Sequence, residues 1–253
     1  MSRYASVNGL EMYYEIHGSG RPLVLIHGGG STIETSFGAV LKFFSATRQV
    51  VAFEQQGHGR TADVDRPFTF EQSADDTAAL LRHLRIGRAD FFGYSNGGSI
   101  ALQVAIRHPA LVRRLVVASA MFTREGLGPD FLPSLRGATP ENMPAELREA
   151  YLAVAPDPGR LPSMVTKCVE RMLTFEDWPE ETIRSINAPT LVMVGDADMV
   201  RPEHAVRMFR LLPRAQLAVL PGTDHMALVH RAEWQVSMVE AFLEAPFAGG
   251  DRG

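Results

Sequence analysis

The sequence predicts an α/β fold: a mostly parallel central sheet with helices on both faces and a small helical cap inserted after the sixth core strand. Three observations support this prediction. Apolar runs typical of buried strands alternate with helix-length amphipathic segments over residues 22–119. The alternation stops after Ala120 and resumes near residue 189. At 253 residues, the chain is also long enough for one such domain with a sizeable core.

The first part of the chain contains a hairpin followed by strands and helices in turn. Asn8-Gly9, between two extended segments, predicts a tight turn in a hairpin over residues 6–17. Strand patterns follow at 22–27, 49–54, 89–94 and 113–119, and helical patterns lie at 34–46, 70–86 and 97–108. Strands that alternate with helices form parallel sheets, because each helix carries the chain back across the sheet.

Residues 121–187 interrupt this rhythm and are predicted to form the cap. They contain helical patterns at 145–154, 161–175 and 179–186, separated by prolines, with no convincing strand. Strand patterns return at 189–194 and 215–220, followed by a helix at 230–243. The predicted divisions are a core in two parts (1–120 and 188–247), the cap (121–187) and a disordered, glycine-rich tail (248–253).

The pentapeptide Gly-Tyr-Ser-Asn-Gly at 93–97 joins a strand pattern directly to a helical one. A turn this sharp leaves no room for side chains at Gly93 and Gly97, and it holds the serine between them strained and exposed. Ser95 is therefore a candidate nucleophile. The N–H of Asn96, at the helix start, would face the negative charge that develops on a substrate oxygen.

A second glycine-rich segment, His-Gly-Gly-Gly at 27–30, follows the strand at 22–27. Glycines let backbone N–H groups approach a ligand closely, and a loop of this kind beside a serine elbow can supply a second oxyanion donor. Gly29 is our candidate for that donor, and His27 is expected to order the loop. The alternative is a flexible connection between strand and helix with no ligand.

Candidates for an acid and a base follow the last two core strands. Asp196 and Asp198 lie just after the strand at 189–194, and His225 follows the strand at 215–220. The chain order is therefore serine, acid, histidine. Asp224 is a weaker acid candidate, because a residue adjacent to the histidine seldom reaches its ring.

This order and these motifs resemble the α/β-hydrolase family, and the resemblance extends from about Val7 to Phe242. The subgroup of small capped serine esterases and enol-lactonases is the most similar, since it carries a comparable strand-end acid and Gly-x-x-His segment, here at 222–225. The resemblance selects Asp198 rather than Asp196 as the acid. It implies a serine hydrolase that cleaves carboxylic esters or lactones through an acyl-enzyme.

One segment departs from the family pattern. Most relatives carry an aspartate at the position of Glu54 and an arginine at that of Gln56, and we expect residues 56–59 to border the mouth of the site. Other reactions on the same triad therefore stay open, namely C–C bond hydrolysis and perhydrolase or haloperoxidase-like chemistry. A non-catalytic, ligand-sensing protein is the alternative from another class. Serine at position 95, in place of aspartate, argues against haloalkane dehalogenase and epoxide hydrolase chemistry.

Composition limits the partners. A net charge of −4 and a pI near 6.1 give no basic surface for nucleic acid or anionic membranes, and no apolar run approaches the roughly 18 residues of a membrane span. We expect a small-molecule ester or lactone substrate, no nucleic-acid or membrane partner, and a monomer or homodimer. Cys168 is the only cysteine and cannot form an internal disulfide, which favours a reducing compartment and a cytoplasmic location.

No cofactor or metal is expected, because the sequence shows neither the His/Cys spacing of zinc sites nor a nucleotide-binding glycine loop. His58, His204 and His230 are expected at solvated or capping positions. Apolar cap residues could line a pocket for uncharged substrate groups, or could instead fill the cap's own core. They are Met121, Phe122, Phe131, Leu132, Met143, Met164, Met172, Phe175 and Trp178.

Overall fold

A computed structural model describes residues 2–246 of the chain, and these residues form one eight-stranded sheet. The strands are β1 (Ser2–Val7), β2 (Leu10–His17), β3 (Arg21–Ile26), β4 (Arg48–Phe53), β5 (Ala89–Tyr94), β6 (Val112–Ala118), β7 (Thr190–Gly195) and β8 (Ala215–Leu220). Their order across the sheet is β1-β2-β4-β3-β5-β6-β7-β8. β1 and β2 pair antiparallel with each other and β2 with β4, whereas all pairs from β4 to β8 are parallel.

Helices cover both faces of this sheet. They are α1 (Ile33–Phe44), α2 (Phe70–His83), α3 (Asn96–Arg107), α4 (Phe131–Leu135), α5 (Ala145–Val154), α6 (Leu161–Thr174), α7 (Glu180–Arg184), α8 (Pro202–Leu211), α9 (His225–His230) and α10 (Ala232–Glu244). Alternate residues of β3 point to opposite faces. Val24 and Ile26 pack in the core that contains α2 and α3, and Leu23 and Leu25 in the core that contains α1 and α10. The predicted fold class is confirmed.

Most predicted elements lie within two or three residues of the observed ones. The predicted hairpin turn is present, with Asn8 and Gly9 both at positive φ (48° and 81°). The end of the chain differs from the prediction, because the helix expected at 230–243 is preceded by the separate α9. Asp224 starts α9 by accepting a hydrogen bond from the N–H of Ala227 (2.7 Å), so the chain becomes helical at His225 itself.

Four helices, α4 to α7, lie between β6 and β7, within the segment predicted to be the cap. α4 was not predicted from the sequence, because it is a single short turn that contains Pro133. The described part of the segment joins no strand of the sheet and contributes only an isolated bridge between Leu127 and Val200. The division into core and cap stays a prediction, and the predicted tail at 248–253 lies outside the described residues.

Candidate active site

Ser95 lies in a sharp turn between β5 and α3, with φ 55° and ψ −125°. The turn depends on its glycines. A Cβ atom on Gly93 would lie 2.1 Å from the carbonyl oxygen of Gly97, and one on Gly97 would lie 1.9 Å from that of Ile26. Since no side chain fits at either position, the two glycines allow the strand and helix to meet so closely that the serine side chain is left at the surface of the turn.

Ser95, His225 and Asp198 form one chain of hydrogen bonds. The Ser95 Oγ lies 3.0 Å from His225 Nε2, and His225 Nδ1 lies 2.8 Å from Asp198 Oδ1. The Asp198 side chain is fully buried. Burial alone raises the pKa of this carboxyl group, but hydrogen bonds from His225, Ser119 and the Val200 N–H outweigh burial, and the pKa is lowered. Asp198 is therefore held as a carboxylate beside the imidazole.

The two competing carboxylates are engaged elsewhere. Asp196 is exposed and accepts a hydrogen bond from the N–H of Thr223 (3.0 Å). Asp224 caps α9. The structure thus brings the second carboxylate after β7, rather than the first, to His225.

Gly29, in the glycine loop at 27–30, lies next to Asn96, in the turn at 93–97 that is called the elbow here. The N–H of Gly28 donates to Ser36 Oγ (3.2 Å) and that of Gly30 to His58 Nε2 (3.0 Å), so among these three glycines only the N–H of Gly29 lacks an acceptor within residues 2–246. A Cβ atom on Gly29 would lie 2.3 Å from Asn96 Nδ2. A side chain at this position would displace the Asn96 side chain, and the amide of Gly29 stays available in the cavity that Ser95 lines.

Two buried histidines support this loop from below. His27 Nδ1 lies 2.7 Å from the carbonyl oxygen of Gly28, and its Nε2 accepts a hydrogen bond from the N–H of Gln55 (3.0 Å). Burial lowers the pKa of His27 to about 4 and that of His58 well below its ordinary value, so both rings are neutral at pH 7. His27 orders the loop as expected. His58 is fully buried and accepts a hydrogen bond from a loop residue, Gly30, so the expectation of a solvated or capping position was wrong for it.

His204, the second histidine expected in a solvated or capping position, is also buried. Its Nε2 accepts a hydrogen bond from the N–H of Phe122 (3.1 Å), and its ring stacks on the Phe122 ring. His230 is exposed. His204 and His230 lie in similar local sequence contexts. One is buried and the other exposed because of long-range packing, which local patterns do not encode.

Tyr94, the residue before the serine, holds the histidine in place and was not singled out from the sequence. Its ring stacks on the His225 ring with 5.1 Å between centroids, and its hydroxyl donates to the His225 carbonyl oxygen (2.6 Å). The signal was an aromatic residue inside the elbow motif. Its partner is 131 residues away in the sequence, so the contact itself was not predictable.

A cavity of about 330 Å³ opens over Ser95 between the sheet and the helices that precede β7. Five methionines contribute to its wall: three from the predicted cap, Met199 from the loop after β7 and Met226 from α9. The residues that line it are Gly28, Gly29, Gly30, Tyr94, Ser95, Asn96, Phe131, Leu135, Ala138, Met143, Pro144, Leu147, Met164, Val165, Cys168, Val169, Met172, Met199, His225 and Met226.

The predicted lining was only partly right. Phe131, Met143, Met164 and Met172 line the cavity, but the other five candidates do not. Trp178, for example, packs edge-on against Phe70 and Phe175 in the large core. An apolar side chain is equally suited to a core and to a pocket wall, so composition could not separate the two groups. The remaining candidates outside the lining are Met121, Phe122 and Leu132.

Residues 56–59 do not border the mouth of the cavity, contrary to expectation. They are almost entirely buried, and Gln56 donates hydrogen bonds to Asp63 Oδ1 (2.8 Å) and to two backbone carbonyl oxygens. Glu54 is buried as well and forms an ion pair with Arg60 (3.0 Å). The unusual residues Glu54 and Gln56 are therefore held by contacts with residues 60–66, outside the lining of the cavity.

Two residues of α6, Cys168 and Arg171, contact the buried residues beneath the cavity. Cys168 lines the cavity with its Sγ 3.4 Å from His58 Nε2, and burial raises the pKa of its thiol. Arg171 is buried, donates to Gln55 and Ser73, and lies over two phenylalanine rings. It forms no ion pair with a described carboxylate, and it is not part of the lining.

Within residues 2–246, no three histidine, cysteine, aspartate or glutamate side chains gather as a metal site would require. The helices of this same part of the chain are all too short or too polar to cross a bilayer.

Comparison with curated proteins reveals relatives of several activities. The chain is 31% identical over 248 residues to the 2-hydroxymuconate semialdehyde hydrolase of Pseudomonas sp. strain CF600, and the aligned region covers 89% of this chain and 88% of that protein. It is 26% identical over 275 residues to a non-heme haloperoxidase of Rhodococcus erythropolis, which covers 94% and 97%.

Solved structures match over almost the whole chain. The meta-cleavage product hydrolase of Pseudomonas fluorescens IP01 superimposes with a TM-score of 0.84 at 22% identity, covering 96% of this chain and 97% of that one. The enol-lactonase of Burkholderia xenovorans LB400 gives 0.78 at 21% identity, covering 96% and 100%. Residues 23–237 also match the profile of the alpha/beta hydrolase family. The chain therefore belongs to the alpha/beta hydrolase family.

Proposed function

We propose that this protein is a serine hydrolase that cleaves carboxylic esters or lactones with uncharged, mainly apolar acyl groups. The observation that carries the proposal is the hydrogen-bonded chain from Ser95 through His225 to Asp198, which opens into an apolar cavity. A serine and an imidazole at this distance have the geometry of a nucleophile and its general base. A cytoplasmic location and a monomeric or homodimeric state stay predictions.

The reaction would proceed through an acyl-enzyme. His225 Nε2 accepts the Ser95 proton while the serine oxygen attacks the carbonyl carbon, and the N–H groups of Gly29 and Asn96 donate to the oxyanion. Asp198 holds the proton on Nδ1 and stabilises the imidazolium. The histidine then gives its proton to the leaving alkoxide, and water repeats the sequence on the acyl-enzyme.

The cavity wall favours an uncharged acyl group. Among the described residues that line it there is no lysine, arginine, aspartate or glutamate. A charged group placed there would lose its hydration without gaining an ion pair, at a cost of several kcal/mol. A volume of about 330 Å³ lies at the small end of ligand pockets, which suits acyl groups of modest length.

Hydrolysis of a C–C bond is the second candidate, and Arg171 is the observation that favours it. The names of two relatives describe hydrolases of 2-hydroxymuconate semialdehyde and 2-hydroxy-6-oxo-2,4-heptadienoate. A dienoate carries a carboxylate, which would need a cation near the site. Arg171 is a buried cation with no ion-pair partner in the described chain, on the same helix as Cys168 and Met172 of the wall. Its position outside the wall ranks this candidate second.

A substrate panel separates the two candidates. Purified protein is assayed with p-nitrophenyl esters of two to eight carbons, with γ-lactones and with 2-hydroxy-6-oxo-2,4-heptadienoate, each also with Arg171→Gln. We expect the esters or lactones to have the highest kcat/KM, with little change in the variant. Preferred turnover of the dienoate that is lost in Arg171→Gln would instead establish the C–C hydrolase. Absence of both turnover and fluorophosphonate labelling of Ser95 would favour the ligand-sensing alternative.

A further inference from the structure

Ser119, which directly follows β6, shares an unusual feature with Ser95. Both serines have φ in the left-handed region, 51° for Ser119 and 55° for Ser95, and each lies just past the end of one of two neighbouring parallel strands. Ser119 is almost fully buried. A non-glycine residue in such a conformation is strained and persists only where the surrounding structure fixes it, most often at functional sites.

The contacts of Ser119 connect it to the acid. Its Oγ donates to Asp198 Oδ2 (2.5 Å), and its N–H donates to the carbonyl oxygen of Met193 in β7 (2.8 Å). The other carboxylate oxygen, Oδ1, contacts His225 Nδ1 and accepts the Val200 N–H (2.9 Å). The fully buried carboxylate is thus held by donors from three separate segments, and Ser119 alone holds Oδ2 within the described chain.

We propose that Ser119 is a positioning residue for Asp198, an inference that rests on the proposed function. The torsion that turns a carboxylate about its last bond is soft, so donors on one oxygen alone leave the group free to rock. The Ser119 hydroxyl fixes the second oxygen through a charge-assisted hydrogen bond. Oδ1 therefore stays in line with His225 Nδ1 while the imidazolium forms.

The test is the kinetics of Ser119→Ala with Ser99→Ala as the matched control. Ser99 is also a buried serine, and its hydroxyl bonds to the backbone of Met121 without touching the acid or the histidine. We expect Ser119→Ala to lower kcat about 10-fold or more with KM unchanged, since a hydrogen bond to a charged group is lost. Ser99→Ala should keep kcat within about 2-fold of the parent protein.

Ser119→Gly guards against a folding defect. Glycine adopts φ near 51° without strain, so this variant loses the hydroxyl group but relieves the backbone. It should fold at least as well as Ser119→Ala and show the same loss of kcat. If either folded variant keeps kcat within about 2-fold of the parent, Ser119 does not position the acid.

A double-mutant cycle shows whether Ser119 acts through Asp198. In the Asp198→Asn background, loss of the Ser119 hydroxyl should change kcat less than about 2-fold, because the carboxylate that it orients is gone. An undiminished effect there would overturn the proposal. The outcomes are distinct from failure of the proposed function, in which the parent protein itself would hydrolyse no ester or lactone.

Discussion

The sheet side of the cavity is held by backbone geometry, whereas the cap side is a packing of flexible apolar side chains. On the sheet side, glycines at 93 and 97 have no space for a Cβ atom, and Ser95 between them is held at a positive φ of 55°. On the side of the predicted cap, three methionines line the cavity, and methionine side chains are unbranched and flexible. We infer that one wall sets the chemistry with high precision and the other adapts to the acyl group.

Removing the proposed nucleophile, Ser95, should have the greatest effect of all. Ser95→Ala should keep the fold and lower kcat by about 10³ to 10⁶, because the triad acts as a unit and only binding and the oxyanion donors remain. Ester turnover and fluorophosphonate labelling measure this change. Stoichiometric labelling of the variant would show that another residue is the nucleophile, and the rigid wall around Ser95 would then not be the wall that sets the chemistry.

Removing the proposed acid, Asp198, should have the next largest effect, with Asp196→Asn as the matched control. Asp198→Asn places an amide beside His225 Nδ1 and favours the wrong tautomer. The corresponding change in a chymotrypsin-like serine protease lowers kcat by about 10⁴. We expect a similar or smaller loss here. Asp196 is exposed and bonds only to backbone, so its variant should stay close to the parent in kcat. A large loss confined to Asp196→Asn would transfer the role of acid to that residue.

A third expectation concerns two buried histidines, His27 beneath the glycine loop and His204 beside Phe122. Burial lowers the pKa of His27 and of His204 to about 4, whereas an unfolded chain titrates near 6.5. Between these values the unfolded state binds more protons than the folded state, so stability is complete above about pH 6.5 and falls as the pH drops towards 4. Each histidine contributes on the order of 1 to 3 kcal/mol to this loss.

Thermal unfolding of the parent and of His204→Gln between pH 7.5 and 4.5 measures this dependence. Glutamine offers an acceptor to the N–H of Phe122 but does not titrate, so the variant should lose less stability on acidification. His230→Gln serves as the control, since His230 is exposed. Equal slopes for the parent protein and the His204→Gln variant would show that His204 does not drive the acid sensitivity.

The two walls also differ in how far the sequence could predict them. Ser95, Gly29 and Asn96 lie in short motifs whose geometry follows from local sterics, and the chain order pointed to His225 and the acid. Ser119 gave no local signal, because its partner Asp198 is 79 residues away in the sequence. The fold was predictable from alternating strand and helix patterns. The residues of the predicted cap that line the cavity could not be predicted, because Met172 and Trp178 are both apolar and only the packed structure shows which of them reaches the cavity.

Substitutions in the wall from the predicted cap should have the mildest effect on activity. Met172 lines the cavity and also packs in the large core, whereas Trp178 packs in that core against Phe70 and Phe175 without lining the cavity. Met172→Ala should enlarge the cavity and shift the preference among p-nitrophenyl esters towards longer acyl chains by a few-fold, because each additional buried methylene gains about 0.8 kcal/mol. Trp178→Ala should leave the preference unchanged and destabilise the fold by about 3 to 5 kcal/mol.

Ratios of kcat/KM across chain lengths, measured beside the thermal midpoint, separate the two roles. A variant that alters the ratios marks a residue of the cavity wall whether or not its midpoint falls, and a variant that lowers the midpoint with unchanged ratios marks a residue of the core alone. If Trp178→Ala changes the chain-length preference and Met172→Ala does not, the assignment of wall and core residues is reversed. The wall that meets the acyl group would then be rigid as well, because aromatic contacts with Phe70 and Phe175 hold the Trp178 side chain in place.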